Sequence, residues 1–216
     1  MTTTATTPVD TKTALLDAAE AVISEHGFAG ASLRAITANA GTNLAAVNYH
    51  FGSKEELARA AIARYLGPVN AERLRLLDQA EKNGGELSSL VAAFVGPVIR
   101  FGQHLPDRGR HFAQLCGRAM TQPEPVLREL MIGELGDAIR RFQAAFSRAL
   151  PLVPRDELLW RIQFMVGAMA HTMAGVELID EIHDGLLDTR DVEGIVDRMV
   201  RFVGAGLAAP LSEDSE

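Results

Sequence analysis

The chain has 216 residues, 47% of them apolar, which excludes a disordered polar segment and is enough to bury a core. Its one cysteine, Cys116, excludes an internal disulfide framework and suits a reducing compartment. Lys and Arg number 21 against 28 Asp and Glu, a net charge of −7, so the chain as a whole lacks the basic footprint of a nucleic-acid binder.

The acid is unevenly spread. Residues 1–66 hold five basic and six acidic side chains, whereas residues 67–216 hold sixteen and twenty-two. Net charge is therefore neutral evidence about the N-terminal end, where the placement of a few bases decides. No apolar run reaches the roughly 18 residues of a membrane span. Residues 1–9, MTTTATTPV, have neither the charged nor the apolar region of an export signal, so a cytoplasmic protein is expected.

In chain order, residues 1–9 read as a disordered tail. Asp10 to His26 is a helix by period, with Leu15, Ala19, Val22 and Ile23 in one stripe and Gly27 as its stop. Phe28 follows as a core plug. Ser32 can cap a short helix carrying Leu33, Ile36 and Ala40 on one side, and Gly41 supplies the left-handed residue that ends it. Asn43 caps a second short helix to about His50. Gly52 closes that one, and Ser53 with Glu56 forms a capping box for the next. Two short helices about a glycine turn, apolar on their inner faces, match the helix-turn-helix arrangement.

Ser53 to about Leu66 is helical, with Leu57, Ala61, Ile62 and Tyr65 inward. Gly67-Pro68 is expected to interrupt or kink it before Val69–Ala80 resumes. Lys82-Asn83-Gly84-Gly85 is the clearest break. Beyond it come helical segments near 87–103, 109–120, 125–150, 155–181 and 191–207. The 155–181 segment is the most apolar, and 191–207 shows Ile195, Met199, Phe202 and Val203 on its face. No period-two strand pattern and no internal repeat is present. The expectation is an all-α chain of about nine helices. It divides into a helix-turn-helix domain at 10–66 and a helical bundle at 67–209, with a second disordered tail at 210–216.

No HxxxH, HExxH or GxSxG motif occurs, and no strand precedes the glycines near Gly27, so no metal, cofactor or catalytic site is expected. The residues from Ser32 to Lys54 are more informative. Ala45 and Ala46 leave the front of the second short helix sterically open to base edges. Tyr49, His50 and Lys54 converge at its end, where hydroxyl, imidazole and ammonium can all meet phosphate oxygens.

Two runs, ALLDAAEAVISEHGFAGASLRAITANAG and NLAAVNYHFGSKEEL, make residues 12–66 resemble the N-terminal domain of the TetR family of transcriptional regulators. Tyr49-His50-Phe51-Gly52-Ser53-Lys54 matches the signature closing that family's recognition helix. The resemblance implies backbone contacts from Tyr49, His50 and Lys54. It places Asn43, Leu44, Ala45 and Asn48 nearer the bases, with Arg34 and Thr42 completing the DNA-binding set. Leu44 departs from the basic or polar residue that many members carry.

A second likeness rests on NLAAVNYHFGSK, the Gly67-Pro68 break and ELLWRIQFMVGAMAHTMAG at Glu157–Gly175. It is similar to the PsrA-like branch, which implies a long-chain fatty acid or acyl-CoA effector. Trp160, Phe164, Met165, Met169 and Met173 are then the expected pocket walls. Gln163 or His171 holds the head group, with Arg161 as an alternative anchor. Met165, Met169 and Met173 read first as plain core residues, with a flexible apolar pocket wall as the open alternative. Relatives imply a homodimer through the helices near 155–181 and 191–207, bound to double-stranded operator DNA. The function expected is repression relieved by an apolar effector. The rival classes are a helical lipid carrier or enzyme without DNA binding, and a module whose short helices dock a protein.

Overall fold

The computed structural model describes residues 10–104, 125–174, 182–184 and 186–211. Among the described residues there are eight helices and no strand: α1 Thr11–Gly30, α2 Leu33–Asn39, α3 Leu44–His50, α4 Lys54–Lys82, α5 Leu87–His104, α6 Pro125–Ala149, α7 Arg155–Ala174 and α8 Val192–Leu207. The architecture is all-α, as the absence of period-two patterning predicts. The expected helix at 109–120 with Cys116, the end of the expected 155–181 helix, residues 1–9 and 212–216, and the Tyr65 side chain lie outside the described residues.

Local chemistry sets the N-terminal boundaries. Gly27 has φ 74° inside α1, a left-handed break that turns the chain and sets buried Phe28 into the core. Ser32, Asn43 and Ser53 each accept a hydrogen bond at 3.1 Å from the backbone N–H three residues on, which starts α2, α3 and α4. Between α2 and α3 the chain turns at Gly41, φ 64°, with the Thr42 N–H donating to the Thr37 carbonyl at 2.9 Å.

α4 corrects one expectation. Gly67-Pro68 does not divide it, and the segments read as 53–66 and 69–80 are one 29-residue helix. Both residues face solvent, and Pro68 leaves the Arg64 carbonyl without its helical donor. Packing on both sides of that point holds the helix together: Leu57, Ala58, Ala61, Ile62 and Leu66 are buried before it, Val69 and Leu77 after it. The first half packs on α1, and the second packs on α5 and α6. α4 is thus shared by the helix-turn-helix unit and the bundle.

The bundle core is built on an aromatic cluster. Phe94 of α5 meets Phe142 of α6 edge-on at 5.0 Å, and Phe142 lies 6.1 Å from Phe146. α8 crosses α5 through buried Val196, Met199, Val203 and Leu207. Phe202 is the exception to its predicted inward face, at 73% exposed. Replacing Phe142, 1% exposed, by alanine is expected to cost about 3–5 kcal/mol, read as a shift in the denaturation midpoint with little change in slope.

Candidate nucleic-acid interface and effector bundle

α3 presents a sharply divided surface. Val47 is fully buried and Ala46 and His50 are partly covered, while Leu44, Ala45, Asn48 and Tyr49 are exposed on the opposite side. At 100° per residue these four share one face. Tyr49 is 85% exposed and meets the His50 ring edge-on at 4.9 Å. Ala46 is not on the open front with Ala45 as the sequence reading had it, because it packs against the core. Arg34 of α2 is exposed, and Thr42 is half-buried in the turn.

Two members of the set are engaged within the fold. The Asn43 side-chain oxygen caps α3, so that atom is occupied. The Lys54 ammonium turns back onto the end of α1, donating to the Phe28 carbonyl at 2.5 Å and lying 4.3 Å from the Phe28 ring centre. Lys54 therefore locks α4 to α1 beside the short helices. Among the other bases of this end, Arg64 pairs with Asp17 at 2.8 Å and Glu20 at 3.5 Å, and Arg59 lies 3.6 Å from Glu56. The positive charge at this surface rests on few residues.

The predicted effector residues divide between two sides of α7. Met165 and Met169 are buried and Met173 is half-buried, facing the core. Trp160 and Phe164 are 63% and 68% exposed, and Gln163 and His171 are exposed with them. These seven side chains therefore do not wall one cavity. α7 carries apolar residues around most of its circumference, so its sequence names no inner side. The outer stripe has its own order: Trp160, Phe164, Gly167 and His171 recur at spacings of four, three and four, and the two aromatic rings stack at 6.1 Å.

Arg161 is also not a ligand anchor. It is buried, with Nε donating to Glu157 at 2.7 Å and Nη1 donating to the Leu207 and Ala209 carbonyls at 2.8 and 2.7 Å. It ties the end of α8 to α7.

Two buried polar residues that sequence reasoning missed face the bundle from α4. Arg73 donates from Nε to the Phe94 carbonyl at 2.7 Å, reaches the Met169 sulfur at 3.5 Å and stacks on the Phe94 ring at 4.2 Å. Asn70, one turn before it, donates to the Glu134 carbonyl at 3.1 Å, and its own oxygen is buried with no hydrogen-bond partner among the described residues. A polar pair inside an apolar helical face was the available signal.

A helix-turn-helix unit joined through a shared long helix to a helical bundle is the class that this fold and surface define. Residues 92–206, more than half of the chain, match the family model described as "Tetracyclin repressor-like, C-terminal domain", and residues 15–61 match "Bacterial regulatory proteins, tetR family". The chain belongs to the TetR family of bacterial regulatory proteins.

Among similar proteins, the HTH-type transcriptional dual regulator CecR of Shigella flexneri is 38% identical over 146 residues, 63% of this chain and 64% of that protein. The HTH-type nicotine-responsive transcriptional repressor HdnoR of Paenarthrobacter nicotinovorans is 41% identical over 73 residues, 34% of this chain and 38% of its own. The chain thus spans less than two thirds of the length of these curated relatives. The fatty acid degradation regulator FadR of Bacillus halodurans shares the fold, with a TM-score of 0.65 over 94% of this chain and 98% of that one at 14% identity. Among the described residues no helix is long and apolar enough to cross a membrane.

Proposed function

We propose that this protein is a homodimeric, ligand-responsive transcriptional repressor that binds operator DNA through α3 and is released by an apolar effector. The observation that carries the reading is the outward face of α3. Leu44, Ala45, Asn48 and Tyr49 stand exposed on a helix otherwise anchored in the core, in the position from which a recognition helix enters the major groove. Residues 10–66 act as the DNA-binding part and 67–209 as the ligand-binding and dimerisation part, with α4 common to both. Thr42, Asn43 and His50 sit at the ends of α3, and Arg34 and Lys54 flank it.

Pairing follows from the exposed aromatic stripe of α7 together with Phe202 of α8. Gly167 within the stripe lets a second helix approach closely. One recognition helix reads only a few base pairs, so two copies set about one helical turn apart gain affinity from both half-sites. An effector in the bundle then acts through α4, whose missing backbone bond at Pro68 makes it the place to bend. Differential affinity for the two dimer spacings is worth about 1–3 kcal/mol of coupling.

The effector class we favour is a long-chain fatty acid or its acyl-CoA ester. Support comes from the apolar interior of the bundle, where Met165, Met169 and Phe94 are buried in the core and Met173 packs against it. The Asn70 side-chain oxygen, buried with no hydrogen-bond partner among the described residues, takes the place of Gln163, His171 and Arg161 as the polar atom open to a donor on a buried head group. Native purification followed by mass spectrometry of bound lipids tests this arm. Recovery of no acyl compound, with no thermal shift on adding oleate or an acyl-CoA, removes the lipid assignment.

The DNA arm is tested by gel shift at fixed salt with DNA from upstream of the protein's own gene. Tyr49→Ala is expected to weaken binding by about tenfold or more, since a hydrogen bond to a charged partner is worth about 1.5–3 kcal/mol and each dimer loses two. Sedimentation should show dimerisation intact. Unchanged affinity means that α3 is not the recognition helix. A lipid carrier or a protein-docking module would give no shift with either protein.

A further inference from the structure

The chemistry of the α3 face says which bases it can read. Its sequence, LAAVNYH, holds no Lys, Arg, Asp or Glu. In the major groove guanine is read by paired donors from Arg or Lys, and cytosine by a carboxylate accepting from its amino group. Neither instrument is present on α3. Adenine is read by an amide that donates to N7 and accepts from the N6 amino group, and thymine by apolar contact with its C5-methyl.

The outward face carries one of each. Asn48 is exposed, and its amide serves no cap. This separates it from Asn43, whose side-chain oxygen accepts the Ala46 N–H at 3.1 Å and so is held at the start of α3. Leu44 is 44% exposed at the leading turn of α3, four residues and so one turn before Asn48. A lone surface leucine needs no explanation. Here the alkyl group stands directly beside the free amide, and Ala45 alongside leaves room for the groove floor to approach both.

We infer that α3 reads A·T pairs, with Leu44 packed on a thymine C5-methyl and Asn48 paired to an adenine through N7 and N6. The inference rests on the DNA-binding reading above and narrows it to a base class. Removing one buried methyl-sized apolar contact costs about fourfold in affinity, so changing both half-sites of a symmetric operator costs about 15-fold. Loss of one arm of the amide pair gives an effect of at least that size.

The experiment starts by selecting duplexes from a randomised pool with the purified full-length protein at fixed salt. The enriched duplex is then rebuilt with deoxyuridine in place of each thymine, which removes only the methyl group, and with 7-deazaadenine in place of each adenine. We expect A·T pairs at the centre of each half-site and one thymine per half-site whose replacement weakens wild-type binding by about 10–15-fold in the paired duplex. Leu44→Ala should bind the thymine duplex more weakly and no longer distinguish it from the deoxyuridine duplex. Asn48→Ala should likewise lose sensitivity to one 7-deazaadenine position.

Equal wild-type affinity for thymine and deoxyuridine duplexes overturns the inference and leaves the DNA-binding reading standing, as does enrichment of G·C pairs at the half-site centre. Full retention of the thymine preference by Leu44→Ala also overturns the assignment. If no duplex is enriched at all, the DNA-binding reading falls and the base assignment with it.

Discussion

Arg161→Ala should destabilise the protein by about 3 kcal/mol, because it removes a buried guanidinium that bonds three partners. The guanidinium is buried, and its three bonds join the end of α8 to α7. The Leu207 carbonyl belongs to the last turn of α8, where carbonyls have no helical donor, and the Ala209 carbonyl lies just beyond. The Glu157 carboxylate, one turn earlier on α7, is the third partner at 2.7 Å. Alanine removes the donor and leaves two carbonyls and a carboxylate to find water or go unpaired. Arg161→Lys should recover only part of the loss, because a single ammonium cannot reproduce the fork that spans both carbonyls and Glu157. Denaturant titration of the three proteins checks the order. A loss under about 1 kcal/mol for Arg161→Ala would mean that the α7–α8 clamp carries little of the fold.

The second large effect concerns the outer stripe. Phe164→Asp combined with Phe202→Asp is expected to convert the proposed dimer into a folded monomer. Both rings are mostly exposed within one subunit, so the substitutions remove little intramolecular packing. On a two-fold interface each change is made twice, and a buried unpaired carboxylate at a packed aromatic site costs several kcal/mol. A loss of about 4 kcal/mol weakens association by roughly a thousandfold. Sedimentation at micromolar concentration should show the monomer mass with an unchanged far-ultraviolet spectrum. Operator binding should fall with it, since each half-site is then held separately. A dimer that persists in this variant places the interface elsewhere. Trp160 lies in the same stripe, stacked on Phe164, so its fluorescence is expected to report pairing of subunits more directly than entry of a ligand.

Much of the N-terminal unit was legible because its determinants are local. Ser32, Asn43 and Ser53 cap their helices with bonds that span three residues, and Gly27, Gly41 and Gly52 take the positive φ that ends or breaks them. Those features need no knowledge of the rest of the chain. The candidate DNA face was legible in outline, through the signature from Tyr49 to Lys54. Its detail was not. Lys54 is drawn onto Phe28, 26 residues earlier, and Ala46 turns inward where an unfolded reading put both alanines at the front.

The bundle shows the opposite balance. Helix existence followed from apolar period and from breaks such as Asn83-Gly84-Gly85. Which side of α7 meets the core did not, because a helix that is apolar nearly all round has no preferred inner face until neighbours choose one. α5 and α8 choose Met165 and Met169, and leave Trp160 and Phe164 outside. The proline rule failed at Pro68 for a related reason. A lost helical bond costs about 3 kcal/mol, and the buried residues of α4 on both sides of it offset that through contacts with α1, α5 and α6.

By itself, then, the sequence determined the all-α class, the boundaries of the two short helices and the identity of the recognition helix candidate, since capping, glycine conformation and apolar spacing act within a few residues. Only the tertiary structure decided that α4 runs unbroken between the two parts, that Arg161 is a clamp, and that Arg73 and Asn70 are the polar groups inside the bundle. Each of those depends on partners 21 to 96 residues away, and no local rule reaches that far.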